Sequence, residues 1–293
     1  MRQRSYRARS IKRVRRTAGE IETIRSAMLD LLQDDHPMTV RQVFYQMVSR
    51  GVIPKTEVQY KQTVCRLLTQ LRREGLLPYD WIADNTRLQR KPRSFQDLND
   101  ALEFTARTYR RALWEEQGVY VEVWCEKDAL SGILYDVTSQ YDVPLMISRG
   151  FSSLSFLHAA GEYLSQLEVP AYLYYFGDHD PSGVEIDRKI EAEIRGFAPE
   201  TEIYFQRVTV TPDQIISMGL PTRPTKTTDS RSKSFEGESV ELDAIPPSAL
   251  RALCRICIEK HIDSELLERT KRIEEKEREI VRQIAESGWG QGA

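Results

Sequence analysis

Apolar residues at Ile21, Ile24, Met28, Leu29, Leu31 and Leu32 recur at helical spacing, and His36-Pro37-Met38-Thr39 interrupts them. Thr39 then predicts the N-cap of a second helix, Val40 to Arg50, which Gly51 ends. A third helix is expected from Glu57 to Glu74, before Gly75. The following Leu76 to Thr86, with Pro78, Trp81 and Ile82, predicts a short strand and turn. Helix, helix, helix and wing is the order of a winged-helix module. An amphipathic connecting helix is expected within 87–117.

From residue 118 the pattern changes. Short apolar runs at Val119–Cys125, Pro144–Ser148, Ala171–Gly177 and Thr201–Val210 alternate with helical stretches at Lys127–Tyr141, Ser152–Leu167 and Gly183–Arg195. Such alternation predicts a parallel sheet covered by helices, an α/β architecture. Residues 211–246 hold four prolines and a polar run, which reads as a loop or lid. A helix from Ser248 to Ile262 and a charged one from Glu265 to Ser287 follow; the latter is polar nearly all round, as an exposed or partner-facing element would be. The expected units are a basic arm (1–19), a winged-helix domain (20–86), a connecting helix (87–117), the sheet domain with its loop (118–246) and C-terminal helices (247–293).

Charge sharpens this division. The net charge of −2 conceals +9 in residues 1–117, which hold 23 Lys and Arg against 14 Asp and Glu, and −11 in the remainder. Residues 1–16 alone carry eight cations, as an arm for a polyanion would. On the third helix Lys61, Gln62, Arg66, Gln70, Arg72 and Arg73 are the polar candidates for meeting duplex DNA. Four cysteines in 293 residues exclude a disulfide scaffold, and no apolar run reaches membrane-spanning length; a reduced, cytoplasmic protein is expected.

The acids are the candidate chemistry. Glu126 follows the first strand, and Asp178 and Asp180 follow the third in Gly177-Asp178-His179-Asp180-Pro181-Ser182-Gly183. If these strands are neighbours, the three carboxylates meet at the carboxyl edge of the sheet, where ligands bind in open α/β folds. Like charges there favour a hard divalent cation, Mg²⁺ or Mn²⁺. The alternative is that the acids cap the helices that follow.

Val123-Trp124-Cys125-Glu126-Lys127-Asp128-Ala129, Ser148-Arg149-Gly150-Phe151 and Gly177–Gly183 together resemble a Toprim domain, and most closely that of the topoisomerase VI A subunit and its relative, the meiotic double-strand-break transesterase. The resemblance covers about residues 20–210. It implies a winged helix before the Toprim sheet, a metal held by Glu126, Asp178 and Asp180, Arg149 among the DNA contacts, and a homodimer that in some relatives works with an ATPase partner. Arg41-Gln42-Val43-Phe44-Tyr45 resembles the family's tyrosine motif, with Tyr45 as nucleophile; Gln42 departs from the usual acid. On a helical wheel Tyr45 lies about 130° from the stripe formed by Val40, Val43, Phe44, Met47 and Val48, so it is expected off the core, one turn from Arg41.

Lesser signals complete the picture. Glu241-Leu242-Asp243 resembles an acidic element of the same family that could add to the metal site. Cys254 and Cys257, with His261, lack a second ligand pair, and the two cysteines read as core or interface thiols on a helix. His179 is expected to face away, and no phosphate-binding Gly-Lys-Ser/Thr loop is present. The expected function is Mg²⁺-dependent DNA cleavage through a phosphotyrosine link. The alternatives are a Toprim nuclease using water, and a winged-helix DNA-binding protein whose Toprim fold is structural.

Overall fold

A computed structural model describes residues 16–83, 92–150, 152–224, 235 and 237–287. Four strands, β1 (Tyr120–Cys125), β2 (Leu145–Ile147), β3 (Ala171–Phe176) and β4 (Ile203–Thr209), form one sheet in the order β2-β1-β3-β4, every pair parallel. The strands are short, and the central β1 and β3 are mostly buried, as both faces of a parallel sheet must be. Alternate residues serve opposite faces: Val121, Val123, Cys125, Tyr174 and Phe176 join one core, Trp124, Leu173 and Tyr175 the other. The second core is closed by α7 (Leu154–Leu164) and α8 (Pro181–Phe197).

The first core is larger. It includes α6 (Ser131–Thr138) and α10 (Pro247–Glu259), and it runs without a break into the N-terminal helices through Met28, Leu31, Met47 and Leu67. Those helices are α1 (Ala18–Asp34), α2 (Val40–Ser49), α3 (Glu57–Gln59) and α4 (Arg66–Arg73). Thr17 and Thr39 cap α1 and α2 in reciprocal boxes with Glu20 and Gln42. Gln42, the residue that departs from the tyrosine motif, is therefore fully buried as the capping partner of Thr39.

Three local expectations change. The expected third helix contains a π-helical stretch, Tyr60–Cys65, between α3 and α4. The expected wing strand is a 3₁₀ turn, Tyr79–Trp81, followed by one parallel bridge between Ile82 and Met38. It pairs with the α1–α2 connection because the Met38 amide donates to the Trp81 carbonyl and the Ala83 amide to that of Met38, while the Trp81 ring stacks on His36. Of the expected wing, Asp84–Thr86 lie outside the described residues. The expected 211–246 loop contains a helix, α9 (Pro212–Ser217), and a 3₁₀ turn, Leu242–Ala244.

The connecting region contributes α5 (Leu98–Thr108), which packs against α11 (Ser264–Glu286). The charged α11 is thus covered on one side, with Glu274 buried between Arg278 and the Arg111 amide. Among the described residues no helix is long and apolar enough to cross a membrane.

Candidate active site

The adjacency of β1 and β3 brings the acids to one edge. The Glu126 amide still donates to the Phe176 carbonyl at 2.9 Å, extending the ladder one residue beyond β1. From there the Glu126 Oε2 accepts the Asp178 amide at 2.9 Å and the Tyr175 hydroxyl at 3.3 Å. Two glycines make this turn possible: a Cβ on Gly177 would collide with the Tyr175 ring and Glu126 Oε2, and one on Gly183 with the Asp178 carbonyl oxygen.

The two aspartates differ. Asp180 caps α8, its Oδ1 accepting the Gly183 amide at 2.8 Å, with Pro181 opening the helix. Its Oδ2 lies 3.5 Å from Arg223. Asp178 is buried, and its Oδ1 accepts from the Leu242 amide at 2.7 Å and faces Lys127 Nζ at 2.9 Å. The helix-capping alternative thus holds for Asp180 and not for Asp178.

Lys127 is the hub that the sequence left without a role. Its ammonium also meets Asp243 at 2.6 Å and Glu241 at 3.5 Å. Burial opposes its charge, yet Asp243, Asp178 and Glu241 hold its pKa above the ordinary lysine value. Arg41 binds Glu241 through both Nε, at 2.8 Å, and Nη2, at 3.1 Å, and Arg223 binds the same carboxylate at 2.9 Å. Burial raises the pKa of Glu241, but Lys127, Arg41 and Arg223 outweigh it and hold the carboxyl down at about 2.

Glu126 has the opposite environment. Among the described residues no ion pair reaches it, and burial followed by the charge of Asp178 pushes its pKa above the ordinary carboxylate value. A carboxylate penalised in this way, beside two more acids, has the donor chemistry of a hard divalent cation site, so Glu126, Asp178 and Asp180 fit such an ion. As the side chains stand, no group of three or more His, Cys, Asp and Glu residues among those described is arranged around a metal position. Lys127 and Arg223 supply the positive charge at the two aspartates instead.

Glu126, Lys127, Glu241 and Asp243 border a cleft of about 670 Å³ between the N-terminal helices and the sheet edge. Arg41, Tyr60 and Arg72 line it from one side, and Glu126, Lys127 and Arg149 from the other. Arg149 has a positive φ of 50° and pairs with Asp128 at 2.9 Å, its side chain largely exposed. Of the other candidate DNA contacts, Lys61 is exposed beside Glu57 at 3.2 Å, Arg66 folds back onto the Gln62 carbonyl, and Arg73 is exposed; none of the three lines the cleft.

Tyr45 is not where its helical angle suggested. It does point away from the apolar stripe, but that face is covered too, and the residue is 2% exposed within the core. The segment after Val240 packs over it: Gln46 donates to the Ala244 carbonyl, and Lys55 stands 5.1 Å from the Tyr45 ring centroid. Burial, and then the charge of Glu241, raise the phenol pKa above its ordinary value. A wheel shows which face a residue occupies but not what a distant segment lays upon it.

The remaining candidates make packing and hydrogen-bond contacts. Cys254 and Cys257 are buried, and burial pushes the Cys257 thiol up to about 11. His261 meets the Tyr174 hydroxyl at 2.6 Å, and His179 packs 5.0 Å from Phe235. No family model matches the chain, and no curated protein matches it.

Proposed function

We propose that the protein is a divalent-cation-dependent DNA-cleaving protein of the topoisomerase VI A type, with a winged-helix-like helical part and a Toprim-type sheet. The observation that carries this reading is the meeting of Glu126, Asp178 and Asp180 at one sheet edge, beside a cleft whose walls present Arg41, Arg72 and Arg149. Guanidinium groups recognise phosphate, and clustered carboxylates recognise the cation that accompanies it. Glu126, Asp178 and Asp180 would hold that cation, which when bound would supply positive charge to the phosphate. Arg41 would orient the phosphate, and Tyr45 would attack it in the covalent form of the reaction. A homodimer on duplex DNA, with an ATPase partner in trans, belongs to the same proposal.

The burial of Tyr45 favours a second reading, in which water attacks and no protein-linked DNA forms. Supercoiled plasmid incubated with the protein and Mg²⁺ or Mn²⁺, then quenched with detergent, distinguishes the two. Ends retained by protein until protease treatment support the tyrosine route, and free ends support hydrolysis. Absence of all divalent-dependent cutting would sink both and leave a DNA-binding protein.

A further inference from the structure

We propose that Arg41, Arg223 and Lys127 form a seat for a nucleic-acid phosphate, and that Glu241 fills this seat in the resting protein. The inference rests on the DNA-cleavage reading and adds a substrate subsite with its own plug. The three cations come from distant parts of the chain, and all reach one carboxylate: Arg41 with two hydrogen bonds, Arg223 with one at 2.9 Å, Lys127 at 3.5 Å. A guanidinium fork fits a carboxylate and a phosphate in the same geometry, so Glu241 has the shape and charge of the ligand it would replace.

Two further observations point to a seat rather than a plain structural pair. Glu241 borders the cleft together with Arg41 and Lys127, and the Arg41 side chain is 40% exposed although its partner is 6% exposed. An anion can therefore approach from solvent on the side already lined by Arg72 and Arg149. Nearby, Lys55 donates to the Pro221 carbonyl at 2.7 Å; burial, then the like charge of Arg223, push its ammonium down to about 8.

The acids that share the seat are Asp180 on Arg223, and Asp178 and Asp243 on Lys127. With Glu241 present, these carboxylates outnumber the three cations. Its withdrawal leaves Arg41 without a carboxylate, ready for phosphate, and removes from Tyr45 the neighbouring charge that raises its pKa. Substrate entry and release of the tyrosine become one event.

Glu241→Gln tests this, because it keeps the side-chain volume and removes the charge. The variant should bind a short duplex without divalent cation about tenfold more tightly, the change expected for one charged contact, with a salt slope steeper by about one. Adding Arg223→Ala should cancel the gain. Equal or weaker binding by a Glu241→Gln protein whose melting matches wild type overturns the proposal. Should the variant not fold, hydrogen exchange on the wild type decides. The Val240 and Leu242 amides, which donate to His179 O and Asp178 Oδ1, should exchange faster when duplex is bound, and unchanged or slower exchange overturns the plug. A binding gain without any metal-dependent cutting removes the cleavage reading and leaves the seat; cutting by wild type without the gain removes the seat alone.

Discussion

Arg41 and Glu241, 200 residues apart, are joined by two hydrogen bonds of 2.8 and 3.1 Å, and this pair ties the N-terminal helices to the segment that closes over the sheet edge. The segment that carries Glu241 continues over Tyr45, and the charge of Glu241 adds to burial in raising the phenol pKa. Predictions about this protein therefore separate into those about the acid edge, the tyrosines, the backbone that shapes the edge, and the basic arm.

At the acid edge, the Asp178→Asn, Asp180→Asn double variant should lose Mn²⁺ binding in calorimetry, since two of three hard anionic donors are gone. Binding unchanged from wild type would remove these residues as ligands.

Tyr45 and Tyr60 offer a paired comparison, because Tyr60 lines the cleft and Tyr45 does not. Tyr45→Phe removes one hydroxyl and should keep the fold and DNA affinity while abolishing cutting and the covalent adduct. Tyr60→Phe should retain the adduct. Wild-type cutting by Tyr45→Phe would eliminate the transesterase route and leave hydrolysis.

Gly183→Ala should destabilise the protein by about 1–3 kcal/mol, as overpacking against backbone does, and should displace Asp178 from the Leu242 amide. Thermal melting and Mn²⁺ binding should both suffer. A variant as stable as wild type would show that the 177–183 turn has room the structure does not give it.

Glu122, 2% exposed on β1, accepts from the Tyr120 hydroxyl at 2.8 Å, and burial pushes its pKa up to about 7 from 4.5. Between these two values the folded chain keeps a proton that the unfolded chain releases, so this group's contribution makes stability fall as pH rises through that window. Glu122→Gln should remove that loss, raising stability at pH 8 by at most about 3 kcal/mol with little change at pH 4. Urea denaturation at both pH values measures it, and an equal effect at the two would contradict the burial argument.

Arg16 donates to Thr63 and Gln59 at 2.8 Å each, which anchors the end of the basic arm on α3 and the π-helical stretch. Residues 1–15 lie outside the described residues. Deleting residues 1–16 should flatten the plot of log affinity for duplex DNA against log salt, since fewer counterions are released. An unchanged slope would reduce the arm to a solubilising tail.

Local patterns determined most of the order of helices and strands, because short apolar runs and stripes every three to four residues are local properties of the chain; they missed the 3₁₀ turn where a wing strand was expected and α9 within the expected loop. The same local logic placed Thr39 at a helix start, and the acids of Glu126, Asp178 and Asp180 just after strands. Only the tertiary structure decided which strands are neighbours, and so that these acids meet. It also decided that Lys127, Arg41 and Arg223 gather on Glu241, a set spread over 200 residues with no common spacing. Tyr45 shows the boundary most clearly. Its face on α2 followed from 100° per residue, whereas its burial followed from a segment 200 residues downstream, and long-range packing leaves no periodic mark in the sequence it covers.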